Sequence, residues 1–211
     1  MRTNSPLVGV IDYGMGNLRS VANAFYENGI DVEIIQDPAR FEDYSHLVLP
    51  GVGHFGSAVE NIERGGFREP LLAMAAAGRP ILGLCVGMQL LATIGTEGGG
   101  SRGLDLVPGR VDLMESNKGR RVPHVGWNEL SILQPHPVLE GLKQARDFYF
   151  VHSYQFITSD DRNLVAVTDY EAPVTAVVAS GSVIGFQFHP EKSQVNGIRL
   201  LENFANWDGL C

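Results

Sequence analysis

Cysteine is almost missing from this chain: Cys85 and Cys211 are the only two among 211 residues. Two thiols cannot build the disulfide framework of a small secreted fold, and they stand at no spacing that a zinc site uses. Long apolar runs are missing as well. No stretch approaches the roughly 20 residues needed to cross a bilayer. The apolar segment behind Met1–Pro6 is too short for the core of a signal peptide. Positive charge is in deficit, with 16 Lys and Arg against 24 Asp and Glu and a net charge of −8. The one basic cluster, Lys118-Gly119-Arg120-Arg121, reads as a solvated loop or at most a small anion-facing patch, so a nucleic-acid partner is excluded. Internal repeats and low-complexity segments are absent. These gaps leave a cytoplasmic protein with no membrane segment, no metal and no cofactor as the expectation.

What remains is an ordinary globular composition, 44% hydrophobic and 19% charged. At this length one domain over residues 1–211 is expected, with enough chain to bury a core. Leu7 to Asp12 reads as a strand, Tyr13 to Asn17 as a turn, and Leu18 to Asn28 as a helix closed by Gly29. Val32–Ile35 and Leu47–Leu49 are further strands, and helical spacing runs over Ser57–Ile62 and Phe67–Ala77. The alternation predicts a mostly parallel sheet with helices on both faces. Past Gly98-Gly99-Gly100 the pattern changes to strands: Arg110–Met114, Phe148–Val151, Leu164–Val167, Val174–Ala179 and Val183–Phe188, the last two joined by Ser180-Gly181-Ser182 as a hairpin. These antiparallel pieces are expected to extend or cover one sheet edge. A closing helix spans Ile198–Phe204. Gly14 and Gly16 follow the first strand, but Arg19 stands where a third glycine would be, which argues against a dinucleotide site.

The chain is organised around Pro80 to Leu91. An apolar strand runs into Gly83-Leu84-Cys85-Val86-Gly87 and then into an apolar helix start. G-x-C-x-G is a nucleophile elbow with cysteine in the nucleophile position. The glycines permit a sharp turn that lifts the sulfur above the sheet, and the helix N-terminus beside it favours thiolate. The alternative is a small buried hydrophobe, a common role for free cysteine.

A cysteine nucleophile needs a base and a group to orient it. Gly185 to Ser193 supplies both. His189 moves a proton near neutral pH, Pro190 takes the chain out of the strand, and Glu191 orients the imidazole. The alternative is a loop histidine beside a solvated glutamate. An oxyanion needs two N–H groups, expected from Val86 and from Val52 in the Pro50-Gly51-Val52-Gly53 turn. On the residues alone, the chemistry is acyl transfer or amide hydrolysis. His124 and Trp127 then read as a loop histidine and a packing or interface tryptophan.

Gly83-Leu84-Cys85-Val86-Gly87-Met88-Gln89 with His189-Pro190-Glu191 resembles the class I, triad-type glutamine amidotransferases. Ile11 to Leu18, Pro50 to Gly56, Pro123 to Asn128 and Phe150 to Tyr154 narrow the resemblance to the glutaminase subunits of imidazole glycerol phosphate synthases. The resemblance implies the flavodoxin-like fold of that superfamily. It implies a Cys85, His189, Glu191 triad that releases ammonia from glutamine. It places glutamine near Gly51, Gly53, Gln89, Glu97, His152, Ser153 and Tyr154. It also implies a separate (β/α)8-barrel cyclase as heterodimer partner, met by Asn17, Pro123, His124, Trp127, Asn128 and Lys192. Ammonia would pass to that barrel, which makes imidazole glycerol phosphate and an aminoimidazole carboxamide ribonucleotide for histidine biosynthesis. Gly51 and Gly53 flank the Val52 peptide and suggest an oxyanion donor that swings into place on docking. Rival expectations are a related amidotransferase in another pathway such as surface-sugar amidination, a free-standing cysteine amide hydrolase, and a non-catalytic binding subunit.

Overall fold

The computed structural model describes residues 7–116, 121–143 and 147–210. Lys118 to Arg120 of the basic cluster, and Cys211, lie outside the described residues. β1 (Leu7–Ile11) leads to α1 (Leu18–Tyr26) and then β2 (Asp31–Ile35). β3 (His46–Gly51) precedes α2 (Phe55–Arg64) and α3 (Arg68–Ala76). β4 (Ile81–Cys85) runs without a break into α4 (Val86–Leu90). Two short strands follow, β5 (Ile94–Gly95) and β6 (Ser101–Arg102), then β7 (Gly109–Leu113). β8 (His124–Ile132), β9 (Asp147–His152) and β10 (Tyr154–Thr158) come next. β11 (Leu164–Asp169), β12 (Pro173–Ser180), β13 (Val183–Phe186) and α5 (Gln194–Asn206) complete the fold.

Nine strands form one sheet in the order β2-β1-β3-β4-β13-β12-β11-β8-β9. The first five are parallel to one another, and every pairing from β13 outward is antiparallel. The antiparallel strands therefore extend the sheet past β13. β10, β7, β5 and β6 form a second, small sheet. The inner parallel strands β1, β3, β4 and β13 are buried on both faces, which is why they read as apolar runs rather than alternating ones, whereas the edge strand β2 exposes Asp31, Glu33 and Ile34.

Successive side chains of each strand serve opposite cores. Val8, Val10, Val48, Leu82 and Leu84 pack with α1 and α5, through residues such as Phe25 and Phe204. Ile11, Leu47, Leu49 and Ile81 pack with α2, α3 and α4, through residues such as Phe55, Leu71 and Met88. The expected helices on both faces are thus present. α2 begins two residues before its apolar pattern because the His54 side chain accepts from Gly56 N–H at 3.1 Å.

One expectation fails. Residues 124–128 form a strand, not a loop: β8 pairs with β9 from His124↔His152 to Glu129↔Asp147. Its inward positions carry His124, Gly126 and Asn128, whereas the exposed positions carry Val125 and Trp127. Over residues 124–128 the hydrophobic alternation is inverted, and apolar inward positions begin only at Leu130 and Ile132, so the first half of the strand has no apolar inner face to betray it.

Candidate active site

The elbow is held by backbone contacts that only glycine allows. A Cβ on Gly87 would lie 1.8 Å from the Leu49 carbonyl oxygen, and one on Gly83 would lie 2.6 Å from the Gly87 oxygen. α4 thus rests directly on β3 and β4. The turn leaves Cys85 at φ 54° and ψ −111°, a region that L-residues enter at a cost. Such strain is what lifts a nucleophile above a sheet. Cys85 sits opposite Gly51 in the β3–β4 register and is 4% exposed. α4 is only five residues long, so its dipole is a smaller influence on the sulfur than the sequence suggests.

His189 begins the turn that follows β13. Its N–H donates to the Tyr149 carbonyl of β9 at 3.0 Å. Ser193 Oγ donates to the His189 carbonyl at 2.6 Å and accepts from Tyr149 N–H at 3.2 Å. The histidine is therefore fixed to β9 on both sides. Its Nδ1 meets Glu191 Oε1 at 2.9 Å, and the two side chains are 6% and 1% exposed. Burial would lower the His189 pKa, but the Cys85 sulfur and the Glu191 carboxylate outweigh it and raise it to about 9. Nε2 is buried and makes no hydrogen bond of acceptable geometry in this state, although the sulfur is close enough to act on it. Cys85, His189 and Glu191 thus come together in the spatial order that a nucleophile, a proton carrier and an orienting group take in triad chemistry.

A cavity of about 310 Å³ opens onto Cys85 and His189. Val52, Gly53, Val86 and Gln89 line it from the elbow side, and Glu97, His152, Ser153 and Tyr154 from the other. The volume suits a small polar molecule. Gly51 lies beneath it rather than in it. A Cβ there would come within 2.7 Å of both Gly87 N and the Tyr13 hydroxyl, so Gly51 serves close packing. Gly53 alone of the pair needs freedom, with φ 98°. Glu97 accepts from Phe55 N–H at 2.6 Å and so caps α2 from the cavity wall. A larger cleft, about 450 Å³ beside His136, holds none of these residues. Among the described residues no cluster of His, Cys, Asp or Glu could hold a metal ion.

Of the remaining expected residues, Asn17, Pro123, Trp127 and Lys192 are exposed, Asn128 turns inward on β8 to meet His124 Nε2 at 2.6 Å, and His124 differs from all of these. Pro123 reaches the cavity rim. Trp127 is 46% exposed and packs on Tyr149, whose ring also receives the Lys192 ammonium at 5.3 Å. Asn17 is exposed at the start of α1. His124 is the exception: it is wholly buried, stacked between Phe150 and Tyr170, and cannot present its ring at a surface. Val151, Tyr13 and Gln187 were missed by the sequence reading. Val151 lines the cavity. Gln187 is fully buried with Nε2 3.8 Å from the Cys85 sulfur. The signal for it was a polar residue between Phe186 and Phe188, inside an otherwise apolar segment.

Residues 9–207 match the family model for glutamine amidotransferase class-I. Imidazole glycerol phosphate synthase subunit HisH of Desulfitobacterium hafniense (strain DSM 10664 / DCB-2) is 43% identical over 201 residues, covering 95% of this chain and 94% of that protein. The subunit of the same name from Methanothermobacter thermautotrophicus is 47% identical over 199 residues, covering 94% and 98%. A solved structure described as a glutamine amidotransferase superposes with a TM-score of 0.73 at 21% identity, covering 96% of this chain and 99% of that one. PurLQS from Thermotoga maritima gives a TM-score of 0.73 at 19% identity, covering 96% and 98%. At those identities the two structures establish the fold.

Proposed function

We infer the function from one premise: the chain belongs to the glutamine amidotransferase class-I family, among proteins named as the HisH subunit of imidazole glycerol phosphate synthase. From it we propose that Cys85, His189 and Glu191 hydrolyse glutamine to glutamate and ammonia. The observation that carries the proposal is the meeting of a strained, elbow-borne sulfur with a Glu191-paired His189 at one small cavity.

The steps follow from that arrangement. The thiolate attacks the side-chain carboxamide carbon, and the resulting oxyanion takes N–H donors from Val52 and Val86. The C–N bond breaks as His189 gives its proton to the departing ammonia, leaving a thioester. His189 then removes a proton from water, which attacks the thioester. Glutamate leaves and the sulfur is regenerated. A raised His189 pKa suits the first half, because the imidazolium is present at neutral pH beside the thiolate it stabilises. Glu97, the acid on the cavity wall, is suited to the substrate's ammonium group.

We further propose that a (β/α)8-barrel cyclase docks over the face bearing Asn17, Pro123, Trp127 and Lys192. Ammonia would reach it without entering solvent, and the product would feed histidine biosynthesis. Asn128 and the buried His124 would act from behind this face. Glutamate release, measured with and without the cyclase and its nucleotide ligand, tests both parts. Activity confined to the complex and abolished in Cys85→Ala is expected. Equal activity in the isolated chain would remove the partner dependence, and none in either state would remove the glutaminase reading.

A further inference from the structure

The nucleophile has a neighbour that the mechanism above does not use. Gln187 Nε2 lies 3.8 Å from the Cys85 sulfur, and its Oε1 accepts from Gln89 Nε2 at 3.1 Å. A buried amide has two orientations, and only one puts a donor on the sulfur. Here a main-chain carbonyl decides which. The Tyr154 oxygen can only accept, and Gln89 reaches it at 3.3 Å, so Gln89 must present its Nε2. The same Nε2 reaches Gln187, which must therefore answer with Oε1. Its Nε2–H groups are left facing the sulfur.

The Tyr154 carbonyl sets the polarity on its other side too. His152 Nδ1 meets it at 2.8 Å and must donate, which leaves Nε2 as the acceptor whenever the ring carries a single proton. His124 Nδ1, at 3.0 Å, then donates to His152, and His124 Nε2 accepts from Asn128 Nδ2 at 2.6 Å. One oxygen thus orients a buried series of side chains from β8 to the nucleophile.

We propose that Gln187 is a positioning residue for the nucleophile: its side-chain N–H, held toward the sulfur by Gln89 and the Tyr154 carbonyl, stabilises the Cys85 thiolate and fixes its direction of attack. The proposal rests on the reading of Cys85 as the nucleophile. Three titratable side chains face or back the same sulfur. His189 lies across from it with Glu191 behind, and Tyr13 comes from the loop after β1. Burial, and then the sulfur itself, hold the Tyr13 phenol well above its usual range, so it stays protonated. His189 is aimed by Glu191, which meets its Nδ1 at 2.9 Å, and Gln187 is aimed independently, by the Gln89 N–H that its Oε1 accepts at 3.1 Å.

The test is the pH profile of Cys85 alkylation by iodoacetamide, read on the isolated chain in a Cys211→Ser background. It needs neither glutamine nor a partner, so its failure is distinguishable from failure of the glutaminase reading. In Gln187→Met the thiol loses one donor while Gln89 keeps the Tyr154 carbonyl. The midpoint is expected to rise by about one pH unit; in a separate assay on the complex with the cyclase, kcat for glutamate release is expected to fall with KM kept within about twofold. A lower melting temperature with an unmoved or lowered midpoint would overturn the proposal and leave Gln187 a packing residue. Should Gln187→Met fail to fold, the Gln187 side-chain amide resonances of the parent chain decide. They are expected to follow the Cys85 titration and to lose that dependence in Cys85→Ala. Resonances indifferent to Cys85 would overturn it.

Discussion

The strained backbone at Cys85 predicts an inverted order of stability between two variants that lack the thiol. Glycine normally destabilises a strand or helix interior by about 0.5–1 kcal/mol relative to alanine. At Cys85, φ is 54° and ψ is −111°, where any Cβ costs about 1–3 kcal/mol. Cys85→Ala keeps that cost, and Cys85→Gly removes it. Against this, glycine gives up about 0.4–1 kcal/mol through the freer unfolded chain and about 0.8 kcal/mol for one buried carbon. Taking about 2 kcal/mol of strain relief, Cys85→Gly emerges about 0.5 kcal/mol more stable than Cys85→Ala. The assay is urea unfolding of both variants at one pH, with equal slopes required for comparison. For a chain of this size the difference corresponds to about 1–2 °C in melting temperature. An alanine variant as stable as the glycine variant, or more so, would refute the claim that the elbow stores as much as about 2 kcal/mol of strain at Cys85.

Three further outcomes follow from the site. His189 has its pKa raised from the ordinary 6.5 to about 9 in the folded chain, so its contribution is complete below the unfolded value and is lost as pH rises through the folded one. Unfolding free energy should therefore fall between about pH 6.5 and 9, by no more than about 3 kcal/mol, and His189→Asn should flatten that fall; equal slopes in the two proteins would sink the argument. Gly87→Ala should cost about 3 kcal/mol or more, since its Cβ would sit 1.8 Å from a main-chain oxygen that cannot yield; a soluble variant with parental stability would mean that β3 and α4 are not packed as described. Trp127→Ala should weaken binding to the cyclase about 30-fold while changing the stability of the free chain by about 1 kcal/mol or less, because the ring is 46% exposed; calorimetry on the two subunits decides, and unchanged affinity would move the docking face elsewhere.

The parallel half of the fold was legible because doubly buried strands such as Ile81–Cys85 stand out as apolar runs between glycine and proline. The elbow was legible for a related reason: Gly83 and Gly87 mark places where backbone meets backbone, and no other residue fits. The first half of β8 was not legible, because its inward side is built from His124, Gly126 and Asn128 while Val125 and Trp127 face out. The polar series through His124 and His152 was hidden for a different reason. Its members are 28 residues apart and meet only through the β8–β9 register, which local pattern does not fix. Gly51 was assigned a hinge-like freedom, but close packing beneath Cys85 accounts for it.

β9 is the last strand of the large sheet, and His189 hangs from its main chain at Tyr149. An edge strand is where another chain can build, and on β9 the His189–Ser193 turn occupies the outward N–H and C=O of Tyr149. Here the apolar Val125, Trp127 and Val151 stand around that edge, each more than a third exposed. A copy made without a cover for this edge is exposed to self-association, and the first element that such association would distort is the one that holds the histidine. Recombinant production of the chain alone should therefore lose soluble protein to aggregation before it loses it to unfolding, and co-production with the cyclase proposed above should protect both solubility and the placement of His189.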